Sequence, residues 1–443
     1  MTVRPIQSFT GRRQRPEDKG EIRMDMLEQF LNFAEQSPTA FHAAANLEIL
    51  LREKGFEELK ETDPWLVDAG GKYYVKRSDS ALIAFQVPET GFASFRIAAA
   101  HSDSPAFKLK ERFEDKTEYY VRLNVEKYGG MIMSTWLDRP LSVAGRLAVR
   151  SGDGVVPVLV NLDRDALMIP NMPIHFNREA NSGYAYDAQK DMMPVYGDAG
   201  SAGGLMREIA QAAGVEEKDI LSHDLFLYGR ERASVWGAGD AYFSCGRIDD
   251  LECAWGCMTA LTRSTARDTV NVCAVFDNEE VGSGSRQGAD SGFLYDTLTR
   301  LGFALGASDG EIRAAMAGSF LVSADNAHAV HPNHPEKWDK QNRPVMNGGV
   351  VIKHNAALKY TTDALSSARF ALVCEKAGVP VQHFANRSDI AGGSTLGHIS
   401  AAHVSVESVD IGLAQLAMHS LYETAGTKDL GLLVQAMETY WNG

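Results

Sequence analysis

Apolar residues recur at helical spacing over residues 24–36 and again over 40–54, and Ser37-Pro38-Thr39 between them stops one helix and starts the next. Three short runs follow, at 72–76, 81–87 and 95–100, where β-branched and aromatic residues predict strands. The middle of the chain changes character. Residues 118–125, 141–150 and 155–162 alternate or run apolar and are punctuated by Gly129-Gly130 and Asp153-Gly154, so this part reads as all-β. Polar, glycine-rich residues 180–203 predict a long loop. Beyond 220–228 the two periodicities alternate, with helices expected at 249–263, 290–305, 363–376 and 414–425 and strands at 270–276, 320–324 and 379–384. Such alternation predicts an α/β fold: a mixed, mostly parallel sheet flanked by helices. On this reading residues 1–108 and 240–443 form one domain, interrupted by a β-rich insertion at 109–239.

Composition narrows the class without changing that picture. The 443 residues are 44% hydrophobic and 23% charged, as in ordinary globular proteins. A formal net charge of −14 gives no counterion-release term, which argues against nucleic acid or an anionic membrane as the main partner. No apolar run approaches the roughly 20 residues that span a bilayer. The basic N-terminus, with Arg12-Arg13-Gln14-Arg15, lacks the apolar core of a secretory signal and reads as a flexible tail. Five cysteines, an odd number, point to free thiols in a reducing, cytoplasmic compartment. Cys253 and Cys257 could form half a zinc site, but no second pair stands at finger-like spacing, which favours buried thiols.

Candidate chemistry lies where apolar runs stop. Residues 274–283 end a β-branched run in Asp277, Glu279 and Glu280, followed by a Gly/Ser loop. A solvated acidic turn is the plain alternative there. His101 ends another apolar run, with Asp103 two positions on, where a carboxylate can fix the histidine tautomer. Asp249 and Asp250 open an expected helix, where Asp249 could equally serve as a cap. Asp325 ends a third apolar run, and His419 sits in an otherwise apolar stretch where core histidines also occur. Two histidines, two aspartates and a glutamate, with a second glutamate spare, make a ligand set that zinc accepts and that suits dinuclear hydrolysis. Spacing alone does not choose these five from the chain's twelve histidines and many acids.

The chain resembles the aspartyl aminopeptidase family of co-catalytic zinc exopeptidases, from about residue 26 to the C-terminus. The motifs, in order, are AAHSDSP (99–105), VEKYGGM (125–131), WLDRPL (136–141), IPNMPIHFNRE (169–179) and GRIDDL (246–251). FDNEEVGSGSRQGA (276–289), SADNAHAVHPN (323–333), GGVVIKHN (348–355), GGSTLGHISA (392–401) and AMHSLYE (417–423) complete the series. The resemblance implies that His101, Asp249 and Asp325 hold one metal, and that Asp249 bridges to a second held by Glu280 and His419. Glu279 becomes the general base, and Asp103 the partner of His101. His175 is implied to reach a neighbouring subunit's site, and Lys353 to read an acidic substrate side chain, although a lysine there could also be a snorkelling surface charge. Two divalent ions are implied, zinc first, with cobalt or manganese as alternatives. So are peptide substrates with an acidic N-terminus and a dodecamer built from dimers through the β-rich insertion. Three positions depart from the family pattern: Lys127 and His398 replace prolines, and Asp250 replaces an asparagine, adding an acid that changes the metal site or points to solvent. His328, His331, His334 and His403 are decoys for ligand choice. A related dinuclear aminopeptidase or deacylase, or an inactive peptide-binding scaffold, are the rival readings.

Overall fold

The computed structural model describes residues 19–393, 395–400 and 403–443; the basic tail before residue 19 and the side chain of His398 lie outside what it describes. A nine-stranded sheet runs in the order Glu57–Glu58, Lys72–Arg77, Ala81–Gln86, Thr269–Phe276, Ser94–His101, Phe320–Ala324, Glu407–Gly412, Val350–His354, Val381–Ala385. Its four middle strands, Thr269–Phe276 to Glu407–Gly412, are mutually parallel. Every residue of Thr269–Phe276 is buried, as expected of a parallel strand covered on both faces. Alternate residues face opposite layers: Ala98, Ala100, Cys273 and Val275 meet the helices Ile248–Arg263 and Asp429–Asn442, whereas Ile97, Ala99, Val272 and Ala274 meet Phe293–Ala304.

A second, antiparallel sheet of six strands is built between residues 106 and 229, in the order Gly154–Asn161, Leu141–Ser151, Ile220–Gly229, Ala106–Lys116, Tyr120–Tyr128, Val195–Asp198. It has its own core, in which Phe107, Leu123, Trp136, Leu147 and Leu225 pack with Leu205 and Ile209 of the helix Gly204–Ala213. A third sheet of five short strands includes Tyr242–Cys245, Ala414–Leu416 and Glu423–Gly426. The α/β expectation therefore holds, with one correction that matters for the site. Residues 414–425 are not a helix. They form two strands joined by a turn in which Ala417 (φ 57°) and His419 (φ 67°) adopt left-handed backbone, which a helix cannot accommodate.

Candidate active site

His101 ends its strand in register with Phe276, and Asp325 follows the strand Phe320–Ala324 on the other side of Ser94–His101. Three strand ends therefore converge at the carboxyl edge of the parallel sheet, where α/β folds place ligands. After Phe276, Asn278 turns into left-handed backbone (φ 65°) and Glu279–Val281 forms one tight 3-10 turn.

Asp249 lies at the middle of this group. Its Oδ1 is 3.5 Å from His101 Nε2 and its Oδ2 is 3.6 Å from His419 Nε2. One carboxylate thus faces two imidazoles with different oxygens, while Glu280 Oε1 lies 3.3 Å from His419 Nε2. Donor atoms of His101, Asp249 and Glu280 lie within 4.8 Å of one another, as do those of Asp249, Asp250 and Asp325. The capping alternative for Asp249 is not realised, because both its carboxylate oxygens turn to the histidines rather than to N–H groups of the helix start.

The donor set fits bound cations on two counts. Asp249 Oδ1, Asp250 Oδ1 and Glu280 Oε1 are buried and accept no hydrogen bond, a costly arrangement for anionic oxygen unless a cation meets it. The titration behaviour points the same way. Burial, reinforced by neighbouring carboxylates, pushes Glu280 and Asp325 above the usual carboxylate range and Glu279 up to about 8. Burial opposes a charge on His419, yet Asp249 and Glu280 outweigh it and raise that imidazole to about 10. Burial opposes ionisation of Asp249, yet His101 and His419 beside it hold its carboxyl below the usual range; the other acids and both histidines retain protons, positive charge that divalent ions would supply instead. Mixed imidazole and carboxylate donors suit zinc.

The surrounding residues hold these donors in place. His101 Nδ1 is 3.0 Å from the backbone oxygen of Asp103 and 3.4 Å from its Oδ1, so the expected carboxylate contact is shared with a carbonyl. The Asp103 carboxylate also accepts the Tyr128 hydroxyl at 2.7 Å and the N–H groups of Glu279 and Glu280, each at 3.1 Å. Asp250 is buried rather than solvent-facing and accepts the N–H of His101 at 3.1 Å. Lys353 is also buried, with Nζ 3.2 Å from Asp325 Oδ1, which overturns the alternative of a surface lysine. Burial opposes its charge, but Asp325 beside it holds the ammonium above its ordinary range.

His175 is not brought to this centre. It lies exposed in a turn after Pro173, and among the described residues no hydrogen bond or ion pair ties it to the ligand group. Lys127 is exposed on the strand Tyr120–Tyr128, away from the cluster's ion pairs. Two residues that the sequence reading passed over belong to the site's support, Tyr128 and Glu423. Glu423 carried one usable signal, an acid four residues after His419 in an otherwise apolar stretch.

The family model for aminopeptidase I zinc metalloprotease (M18) matches residues 33–441. A probable M18 family aminopeptidase 2 of Clostridium acetobutylicum is 43% identical over 429 residues, covering 95% of this chain and 99% of that protein. In the Ape4 and Nbr1 complex a chain superposes with a TM-score of 0.92 at 33% identity, covering 95% of this chain and 86% of its own length. The S. cerevisiae mApe1 dodecamer gives a TM-score of 0.83 at 27% identity, with 95% and 97% covered. A match over nearly the whole length, joined to a buried imidazole–carboxylate cluster short of positive charge, places this chain in the M18 family: it is a zinc metallo-aminopeptidase.

Proposed function

We propose that the protein releases an N-terminal aspartate or glutamate from peptides, with His101, Asp249 and Asp325 holding one metal ion and Asp249, Glu280 and His419 the other. The observation that carries the assignment is Asp249, whose two oxygens face His101 and His419 separately. Zinc bound there would polarise the scissile carbonyl and make a water acidic enough to attack near neutral pH. Glu279 takes the proton from that water and passes it to the leaving amine. It shares the tight turn of Glu280 but pairs with neither site histidine, which leaves its carboxylate free to accept and return a proton. Lys353 pairs with the acidic side chain of the substrate. Its buried ammonium has three donors, and Asp325 uses one.

His175 serves the site of a neighbouring copy, where it donates to the developing oxyanion. Support comes from its loop, which exposes Met172, Ile174 and Phe176, the last 84% accessible, as a segment that docks on another chain would. The residues at 109–239 form the dimerising part. Their edge strand Gly154–Asn161 leaves Val155, Val156 and Leu159 exposed beside unpaired backbone groups. A dodecamer built from dimers is the proposed assembly, by analogy with the yeast mApe1 dodecamer. Five free, buried cysteines fit a reducing, cytoplasmic setting.

Hydrolysis of Asp-, Glu-, Leu- and Lys-anilides by the zinc-loaded protein tests the specificity. The acidic pair should be cleaved fastest. Lys353→Met should lower kcat/KM for Asp-anilide by about 10–100-fold, the worth of a hydrogen bond to a charged group, with a much smaller change for Leu-anilide. Fastest cleavage of Leu- or Lys-anilide would instead favour a dinuclear aminopeptidase of another specificity.

A further inference from the structure

Glu423 opens the strand Glu423–Gly426, is buried, and has no part in the proton transfers described above. Its Oε2 accepts the N–H of Asp249 at 3.1 Å, and its Oε1 accepts the N–H of His419 at 2.7 Å. The side-chain amide of Gln415 donates to Oε1 as well, at 3.2 Å. One carboxylate thus grips the backbone of two candidate ligands that are 170 positions apart in sequence (419 − 249 = 170). We propose that Glu423 is the positioning residue that fixes Asp249 and His419 relative to each other and so sets the affinity of the second metal position. The inference rests on the ligand assignment proposed above.

Both gripped segments need an external hold. Arg247 (φ 63°) stands in left-handed backbone two residues before Asp249, and Ala417 and His419 do so in the turn. Such conformations persist only where the surroundings over-determine them. The Asp249 N–H also belongs to the first turn of Ile248–Arg263, where amides have no acceptor within the helix. His101 is anchored differently, by Asp250 at its N–H and by Asp103 at its ring. Loss of the Glu423 grip should therefore loosen the position built on His419, where both gripped residues are ligands, more than the one built on His101, where only Asp249 is.

Glu423→Gln tests this, because it keeps the volume but turns an NH2 group toward one of the two N–H donors. The full-length protein, stripped with chelator, is titrated calorimetrically with Zn2+ and followed by absorption with Co2+. Wild type should take up two equivalents. In the variant the second step should weaken by about 10–100-fold, as for other residues that orient metal ligands, while the first, which shares only Asp249, weakens by a smaller factor. At saturating zinc, kcat should recover with KM unchanged. Two steps like those of wild type, or equal weakening of both, would overturn the proposal. Fewer than two equivalents in wild type would overturn the ligand assignment itself, and this proposal with it. If Glu423→Gln does not fold, Gln415→Met removes one of the three donors and should weaken the second step in the same direction by less. An unchanged second step there overturns the proposal equally.

Discussion

Glu279 and Glu280 are neighbours in sequence with different surroundings. Glu280 faces His419 across 3.3 Å, whereas Glu279 makes no ion pair with either site histidine and is held up to about 8 mainly by burial. The proposal that only Glu280 binds metal makes Glu279→Gln a clean probe. Turnover should fall by about 10²–10⁴, the usual worth of a positioned base, while two zinc equivalents stay bound. Loss of a zinc equivalent would make Glu279 a ligand instead. At this scale the sequence offered the residue types but not their environments. Asp250 and Lys353 each left a solvent-facing reading open, because an apolar neighbourhood in sequence does not reveal the burial of a charged tip. The structure buries both against opposite charge or N–H donors.

Among the elements, the buried strands were legible because β-branched runs such as Thr269–Phe276 and Phe320–Ala324 end abruptly in acids. The stretch 414–425 was not. Its Ala, Leu, Met and Glu content favours a helix, but pairing of Glu423–Gly426 with Tyr242–Cys245 overrides that preference. The strand Ala106–Lys116 and the helices Gly204–Ala213 and Asp429–Asn442 were also missed, the first because its charged alternate positions dilute the apolar signal. Near the start of the helix Ala40–Glu53, His42 gives a pH test. Burial, then the Arg247 guanidinium, lowers its pKa from 6.5 to about 4, and its Nδ1 lies 2.8 Å from the Thr39 hydroxyl. The unfolded chain therefore binds a proton that the folded chain refuses between those values. The resulting stability is complete above pH 6.5 and is lost as pH falls toward about 4. Melting curves of wild type and His42→Gln should accordingly converge as pH is lowered through this window; a constant gap would show that His42 titrates normally.

For the whole molecule, the two main sheets keep separate cores, and the loop bearing His175 projects from the antiparallel one. If His175 works across a subunit contact, His175→Ala and Glu279→Gln chains, each inactive alone, should regain activity when co-assembled, since a mixed contact restores one complete site. Mixed particles of full size with no regained turnover would place His175 outside catalysis or within its own chain. Size measurement of Phe176→Asp should give smaller particles with lower kcat, because a charge replaces the exposed apolar tip of that loop. The mostly parallel sheet and the β-rich middle could be read from periodicity; nothing in periodicity could have linked positions 101, 249, 280, 325 and 419. That dispersal also bears on folding. The turn carrying His419 is secured by the strands Ala414–Leu416 and Glu423–Gly426, which pair with each other and, through the latter, with Tyr242–Cys245. His101 ends a strand of the nine-stranded sheet, whereas His419 sits in a turn of the five-stranded one, so the proposed metal pair can assemble only when both sheets have folded, and uptake of the second ion should report completion of the whole catalytic unit rather than of either sheet.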